Sequence, residues 1–312
     1  MVSTEPFLNY SRYLRDKYGE TAYRVSIDGG FSCPNRGIDR NLPGCSYCSS
    51  FGSRSAYIGE TEQDVAQQVE RNLKVLKSRY NAKVFMLYFQ AYSSTWAPVG
   101  ELKKLYDESL ALGNFSELIV STRPDCLSEE TCRLLSSYKR GNFDVWVELG
   151  LQTSHDESLI RINRGHDRDQ FEKAFMRLRS YGLKIAVHLI FGLPGEDHPM
   201  MMDTVRYLAS LNPEGIKFHN LHIPSDTPLF RELYAGEMAI PSSAGHVRYL
   251  ADAIELIPPE TVVMRLTTDT PRQRHDVPGA MLDKTIIYNR LREEILRRGT
   301  KQGVFFKNNR IY

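Results

Sequence analysis

From Tyr23 to Ile223 the chain alternates short β-rich runs with amphipathic helical stretches, and few architectures accommodate that pattern. Tyr23-Arg24-Val25-Ser26-Ile27 alternates and reads as a strand, and residues 84–90 form an unbroken apolar run of strand length. Further strands are expected at 118–121, 144–152, 184–191 and 215–223. Helices fall between them. The first has Thr61 as its cap and Val65, Val69, Leu73 and Leu76 as its stripe, and others follow at 102–112, 128–138, 169–181 (ended by Gly182) and 199–211. Six strands with five intervening helices imply a parallel sheet covered by helices, either open and doubly wound or closed into an incomplete barrel. Periodicity does not separate the two. Both put the functional edge at the carboxyl ends of the strands. A helix at 7–17 precedes the alternation. After Ile223, Pro224, Pro228 and Pro241 interrupt it; a helix at 246–257, a strand at 262–266, a loop at 267–279 and a helix at 283–298 follow. The expected organisation is an N-terminal helix (1–22), the strand–helix unit (23–224) and a C-terminal α/β extension (225–312).

Three of the five cysteines, Cys33, Cys45 and Cys48, lie within sixteen residues rich in Gly, Pro and Asn. Such a segment is a loop, able to fold back and aim three sulfurs at one point. Three thiolates suit a metal ion or an iron–sulfur cluster. A structural zinc site is normally closed by four ligands, so zinc would need a distant His. A [4Fe–4S] cube usually takes four cysteines, and three would leave one iron open to a small molecule.

An odd cysteine count without paired spacing points to a reducing compartment, hence the cytoplasm. No apolar run approaches the roughly 18–20 residues of a membrane span, so no membrane partner is expected. The net charge of +2 is uninformative, but its distribution is not. Residues 284–310 hold eight basic side chains against Glu293 and Glu294, an excess that suits a phosphate backbone or a solvated helix face.

Polar motifs cluster at the expected strand ends. Gln90-Ala91-Tyr92-Ser93-Ser94-Thr95 offers hydroxyls to a polar ligand, and Arg123 with Asp125 follows the third strand. Glu148 lies inside an apolar strand, where an unpaired carboxylate is costly; it is expected to face a ligand, a cation or a donor. Gly150 beside it permits close backbone approach. Asn163-Arg164-Gly165-His166 puts a cation and an imidazole in a turn, with His166 a candidate helix cap. The fifth strand ends in Ile190-Phe191-Gly192-Leu193-Pro194-Gly195-Glu196, a turn suited to a flat ligand such as a nucleobase. His219 and His222, three apart on the sixth strand, should face opposite ways, which disfavours a two-His metal site.

Together the cysteine loop and the strand-end motifs resemble the radical S-adenosylmethionine (SAM) superfamily, in the branch related to the catalytic subunit of elongator and nearest its small bacterial YhcC/YtqA-type members. The resemblance covers roughly residues 20–225 by motif. It implies a partial (β/α)6 barrel of the TIM type in which Cys33, Cys45 and Cys48 ligate three irons of a [4Fe–4S] cluster, while the fourth iron chelates SAM. Tyr47 would lie near the adenine and the turn carrying Ile190, Gly192 and Gly195 would hold it. Gln90, Ser93 and Ser94 stand where the family usually has a Gly-Gly-Glu motif for the methionine amine, and here the Glu is absent. Glu148 and Gln152 would meet the ribose or methionine end, and Arg164 the SAM carboxylate. Eleven residues separate the first two cysteines where the commonest spacing has three, which favours the elongator-like branch. The stretch after Pro224 is too short for elongator's acetyltransferase domain, so acyl transfer is not implied.

The implied activity is reductive cleavage of SAM to a 5′-deoxyadenosyl radical that abstracts hydrogen from substrate. The branch suggests tRNA modification at wobble uridine, with tRNA as partner and a one-electron donor such as flavodoxin or ferredoxin. The alternatives are a radical SAM enzyme acting on a small molecule, or a zinc-stabilised nucleic-acid-binding module without catalysis. Cys126 and Cys132 are too few for a second three-cysteine cluster.

Overall fold

The computed structural model describes residues 5–50, 52, 64–268 and 283–307. Seven parallel strands form one sheet in chain order: β1 (Ala22–Ile27), β2 (Val84–Phe89), β3 (Glu117–Thr122), β4 (Asp144–Gln152), β5 (Lys184–Phe191), β6 (Gly215–Asn220) and β7 (Val262–Arg265). Helices intervene: α2 (Val65–Tyr80), α3 (Val99–Ala111), α4 (Glu129–Ser137), α5 (Asp156–Arg161), α6 (Arg168–Ser180), α7 (His198–Leu211), α8 (Pro228–Tyr234) and α9 (Ser243–Leu256). α1 (Tyr10–Tyr18) precedes the sheet and α10 (Lys284–Arg298) follows it.

Alternation along each strand assigns its two faces. Val145, Val147, Leu149 and Leu151 of β4 join the main core beneath the helices, as do Val25, Ile27, Leu87 and Phe89. The opposite face carries Met86, Tyr88, Ile119, Trp146 and Ala186. That face is concave. Arg24 on β1 and Lys217 on β6 both reach Glu148 on β4, which a flat sheet would not allow. The sheet is therefore a curled partial barrel, and the open doubly wound alternative is excluded.

α1 plugs the amino end of the barrel. Tyr13 meets Trp146 edge-on at 6.0 Å, and Lys17 pairs with Glu117 and Asp144 at the strand starts. Residues near the N-terminus run beside β7, where Val263 donates to the Leu8 carbonyl at 2.8 Å. Gln302, after α10, accepts from the Leu8 amide at 2.8 Å. No helix among the described residues is long and apolar enough to cross a membrane.

Several local expectations change. The sheet has seven strands rather than six: β7, read as part of the C-terminal extension, pairs directly with β6. β6 stops at Asn220, so His222 lies beyond the strand, and Lys217 and His219 share its inner face. Asp64 caps α2 by accepting from the Gln67 amide at 3.0 Å; Thr61 lies outside the described residues, as does the loop from 269. Asp167, not His166, caps α6, in a reciprocal box with Gln170. α5 and α8 were not foreseen.

Candidate active site

The cysteine loop crosses the carboxyl end of the barrel and is tied down at many points. Cys33 closes a tight turn, its carbonyl accepting from the amides of Arg36 (2.9 Å) and Gly37 (3.0 Å). Cys48 donates to the Cys45 carbonyl at 2.9 Å, so the last two cysteines share a second turn. Ser49 and Ser50 converge on the Asp226 carboxylate at 2.7–3.1 Å. The segment after α5 holds the loop from the other side: Ser46 donates to the Ile162 carbonyl at 2.9 Å and Asn163 Nδ2 to the Gly44 carbonyl at 2.7 Å.

Cys45 is buried at the centre of this arrangement. Asn35 Nδ2 lies 3.4 Å from its sulfur, Arg164 Nη1 3.8 Å and Arg123 Nη1 3.9 Å. Arg123 is fixed by a bidentate pair with Asp125, both contacts at 2.8 Å. Gly165 has φ +76°, and a Cβ there would sit 2.9 Å from Arg123 Nη2; only glycine lets both loops pack this closely.

Arg164 links the loop to β4. It donates to the Gly150 carbonyl at 3.0 Å through Nη2 and to His166 Nε2 at 3.0 Å through Nε. Burial, then the Arg164 charge, lowers the His166 pKa to about 3, so the ring is neutral and accepts. Its Nδ1 proton then faces the Asp167 carbonyl at 3.2 Å. Gly150 has no room for a side chain, because a Cβ would meet Arg164 Nη2 at 2.5 Å and Gln152 Nε2 at 2.6 Å. A bulge interrupts the β4–β5 register between Gly150 and Gln152. Gln152 itself has φ +74°, a left-handed conformation that is costly for a non-glycine residue.

Tyr47 packs with Ile190, Leu193 and Leu221 in an apolar cluster at the carboxyl ends of β5 and β6. Gly192 and Gly195 shape the turn after β5, both with positive φ. Gln90 continues from β2, its amide donating to the Ile27 carbonyl at 3.2 Å.

Two of the expected groups are engaged within the protein. The Ser93 and Ser94 hydroxyls are buried and engaged within the protein, Ser93 with Thr122 Oγ1 at 3.1 Å and Ser94 with the Ala91 carbonyl at 3.3 Å. Glu148 faces cations and donors, two of the three kinds of partner expected for it. Four protein groups surround its carboxylate: Arg24 at 2.9 Å, Tyr88 at 2.6 Å, His188 at 3.1 Å, and Lys217. Burial opposes ionisation, but Lys217 and Arg24 overcome it and hold this carboxyl well below the usual range. Asn35 and Asn163 were missed in the sequence; Arg24 and Lys217, charges inside apolar strands, were the available signal for the Glu148 cluster.

Residues 33–208 match the family model for the Radical SAM superfamily, and residues 213–297 match the Radical_SAM C-terminal domain. The chain belongs to the radical SAM superfamily. It is 35% identical over 300 residues to the uncharacterized protein YtqA of Bacillus subtilis, covering 96% of this chain and 92% of that one. It is 29% identical over 192 residues to the tRNA uridine(34) acetyltransferase of Methanocaldococcus jannaschii, covering 60% of this chain and 33% of that enzyme. Its fold matches the archaeal Methanocaldococcus infernus Elp3 with a TM-score of 0.69 at 17% identity, over 90% of this chain and 64% of that one.

This radical SAM protein is an enzyme and uses a [4Fe–4S] cluster and SAM. A non-catalytic zinc module is thereby set aside. The donor set fits such a cluster. All three loop cysteines are free thiols, two guanidinium groups stand over the most buried one, and the Ser46 hydroxyl between Cys45 and Tyr47 is buried with no hydrogen-bond partner among the described residues. Among the described residues no three His, Cys, Asp or Glu side chains converge as a single ion would require; a cubane, whose thiolates meet different irons, takes a wider triangle. Burial, then Cys45, pushes the Cys48 thiol up to about 11, and burial also raises Cys33, so cluster assembly must release protons.

Proposed function

We propose that Cys33, Cys45 and Cys48 hold the cluster and that this enzyme modifies tRNA at wobble uridine. The observation that carries the assignment is the convergence of Arg123, Arg164 and Asn35 on the Cys45 sulfur at the carboxyl edge of the barrel. When bound, the cluster supplies one electron to SAM, splitting it into methionine and a 5′-deoxyadenosyl radical that takes a hydrogen atom from substrate.

The protein's own part is binding, orientation and exclusion of water. Arg123 and Arg164 offset the negative charge of thiolates and sulfides. Arg164, whose Nη2 is held by the Gly150 carbonyl, also offers its cation to the SAM carboxylate. Gln152, fixed in its left-handed conformation, presents its amide at the end of β4. Tyr47, Ile190 and the Gly192–Gly195 turn give an apolar seat for the adenine. α1 and the inner core beneath close the far end of the barrel to water.

The tRNA substrate is supported by the likeness to a tRNA uridine(34) acetyltransferase. The exposed Arg290, Lys301 and Lys307 add charge of the right sign. A one-electron donor of the flavodoxin or ferredoxin kind completes the scheme. A small-molecule substrate is the second reading, favoured by the engagement of Arg297 and Arg298 in ion pairs with Glu294, Asp252 and Glu255. Mass spectrometry of nucleosides from total tRNA of a deletion strain tests the choice. Loss of one modified uridine, restored by the wild-type gene, is expected; an unchanged profile overturns the tRNA reading.

A further inference from the structure

Below the mouth of the barrel, two imidazoles face each other from neighbouring strands. His188 of β5 and His219 of β6 have ring centroids 5.1 Å apart. Both lie on the concave face: His188 pairs in register with Gly150 and with Lys217, and His219 with Ile190. They therefore stand level with Gly150, whose carbonyl holds Arg164, and Ile190, which packs with Tyr47. Beneath them the Glu148–Lys217–Arg24–Tyr88 cluster closes the interior.

Each ring has one nitrogen fixed by the protein. Glu148 is ionised and accepts only, so the 3.1 Å contact requires the proton on His188 Nε2 and leaves Nδ1 as a lone pair. His219 Nδ1 lies 2.7 Å from the Thr268 hydroxyl, which among the described residues has this ring as its hydrogen-bond partner. With that hydroxyl donating to Nδ1, the proton of His219 sits on Nε2. Asn220 steadies this end of the barrel, its side-chain oxygen accepting from the Thr268 amide and the Thr267 hydroxyl, both at 2.8 Å. Among the described residues His219 Nε2 has no hydrogen-bond partner, and it is buried. A buried donor left unmatched is costly, and such groups are rare without a reason. Burial keeps both rings neutral at ordinary pH.

We propose that His219 contacts the substrate, donating a hydrogen bond from Nε2 to a carbonyl-type oxygen of the group that enters the barrel, with His188 as the residue that positions its ring. The proposal rests on reading the barrel mouth as the SAM site. It does not require the substrate to be tRNA.

Two amide variants separate a substrate contact from a structural role. Asparagine places its amide near the imidazole Nδ1 position, and glutamine near Nε2. His219→Asn keeps the tie to Thr268 and loses the inward tip, whereas His219→Gln keeps the tip. The measurement is 5′-deoxyadenosine formed by reduced, reconstituted enzyme, alone and with two fractions from a deletion strain: total tRNA and the low-mass metabolite pool. In wild type one fraction should raise the rate. His219→Asn should retain substrate-free cleavage and lose the stimulated part by about tenfold, the worth of one neutral hydrogen bond. His219→Gln should stay within a few-fold of wild type on the same scale. Stimulation by the metabolite pool instead of tRNA refutes the tRNA reading and leaves the His219 comparison decisive. The proposal is overturned if His219→Asn is stimulated like wild type, if Gln fails where Asn succeeds, or if neither fraction stimulates the wild-type enzyme.

Discussion

Arg164 connects Cys45 to β4: one guanidinium nitrogen lies 3.8 Å from the sulfur while another donates to the Gly150 carbonyl at 3.0 Å. A planar fork reaches the two from separate nitrogens, where a lysine has only one. Gly150→Ala attacks this relationship without removing a charge, because the new Cβ would displace Arg164 Nη2. The overpacking should cost about 1–3 kcal/mol of stability. SAM affinity should fall in both Gly150→Ala and Arg164→Lys. Equilibrium binding of SAM to the reconstituted proteins reads this directly, and wild-type affinity in both would mean that Arg164 serves the loop alone.

The cysteines make a sharper distinction. Cys33→Ala, Cys45→Ala and Cys48→Ala should each prevent stable cluster assembly. Cys126→Ala and Cys132→Ala should leave iron content intact, since both thiols are buried elsewhere, Cys132 in the main core. Iron and sulfide per chain after anaerobic reconstitution decide the matter. Full iron content in Cys45→Ala would remove the assignment.

How far this site was visible in advance varied with the length scale. Residues 144–152 and 184–191 were read as strands with the bounds the structure has, because long apolar runs leave little ambiguity. α5 was invisible: six residues give too little periodicity, although Asp156 and Glu157 in its first turn and Arg161 in its last complement a helix dipole. β7 was found as a strand but not as a seventh member of the sheet, since four residues say nothing about their neighbours. Glu148 was singled out correctly as a costly buried charge. Its partners come from β1, β2, β5 and β6, and only the curl of the sheet brings them together.

That cluster changes what a Glu148 variant should do. Removing the carboxylate leaves Lys217 and Arg24 buried against each other, and breaking a buried pair typically costs about 3–5 kcal/mol. Glu148→Ala should therefore unfold at much lower denaturant than wild type. Glu148→Ala with Lys217→Met should recover part of the loss. Chemical denaturation followed by circular dichroism tests this. A Glu148→Ala protein of wild-type stability and reduced SAM affinity would instead favour a direct ligand contact.

Stability should also fall in acid. His188 and His246 have pKa values lowered to about 4, His188 by burial and then Lys217, His246 by burial. Their unfolded values lie near about 6.5, so below that pH the unfolded chain takes up protons that the folded chain refuses. The contribution of these groups is complete above about pH 6.5 and is lost progressively toward pH 4. The urea midpoint should drop across that window, and His246→Gln should flatten the drop. A midpoint that does not move between neutral pH and pH 5 would contradict the buried, neutral state of both rings.

The basic C-terminal region makes the last test more selective than charge counting suggests. Arg298 is bound to Asp252 at 2.6 Å, to Glu255 at 3.3 Å and to Glu294 at 2.8 Å, and Arg297 pairs with Glu294 at 2.8 Å. Replacing Arg298 should thus loosen α10 from α9 before it affects any partner. Arg290, Lys301 and Lys307 are exposed, and no ion pair is found for them among the described residues. If tRNA lies against this region, binding releases counterions and weakens steeply with salt, by a slope of about 0.7–0.9 per phosphate neutralised. Changing these three residues to Gln should flatten the slope by roughly two to three units. Substrate-free SAM cleavage should be unchanged, because none of the three borders the cysteine loop. Binding isotherms for total tRNA at several salt concentrations provide the comparison. Salt-insensitive binding by the wild type, or an unaltered slope in the triple variant, would detach tRNA from this face.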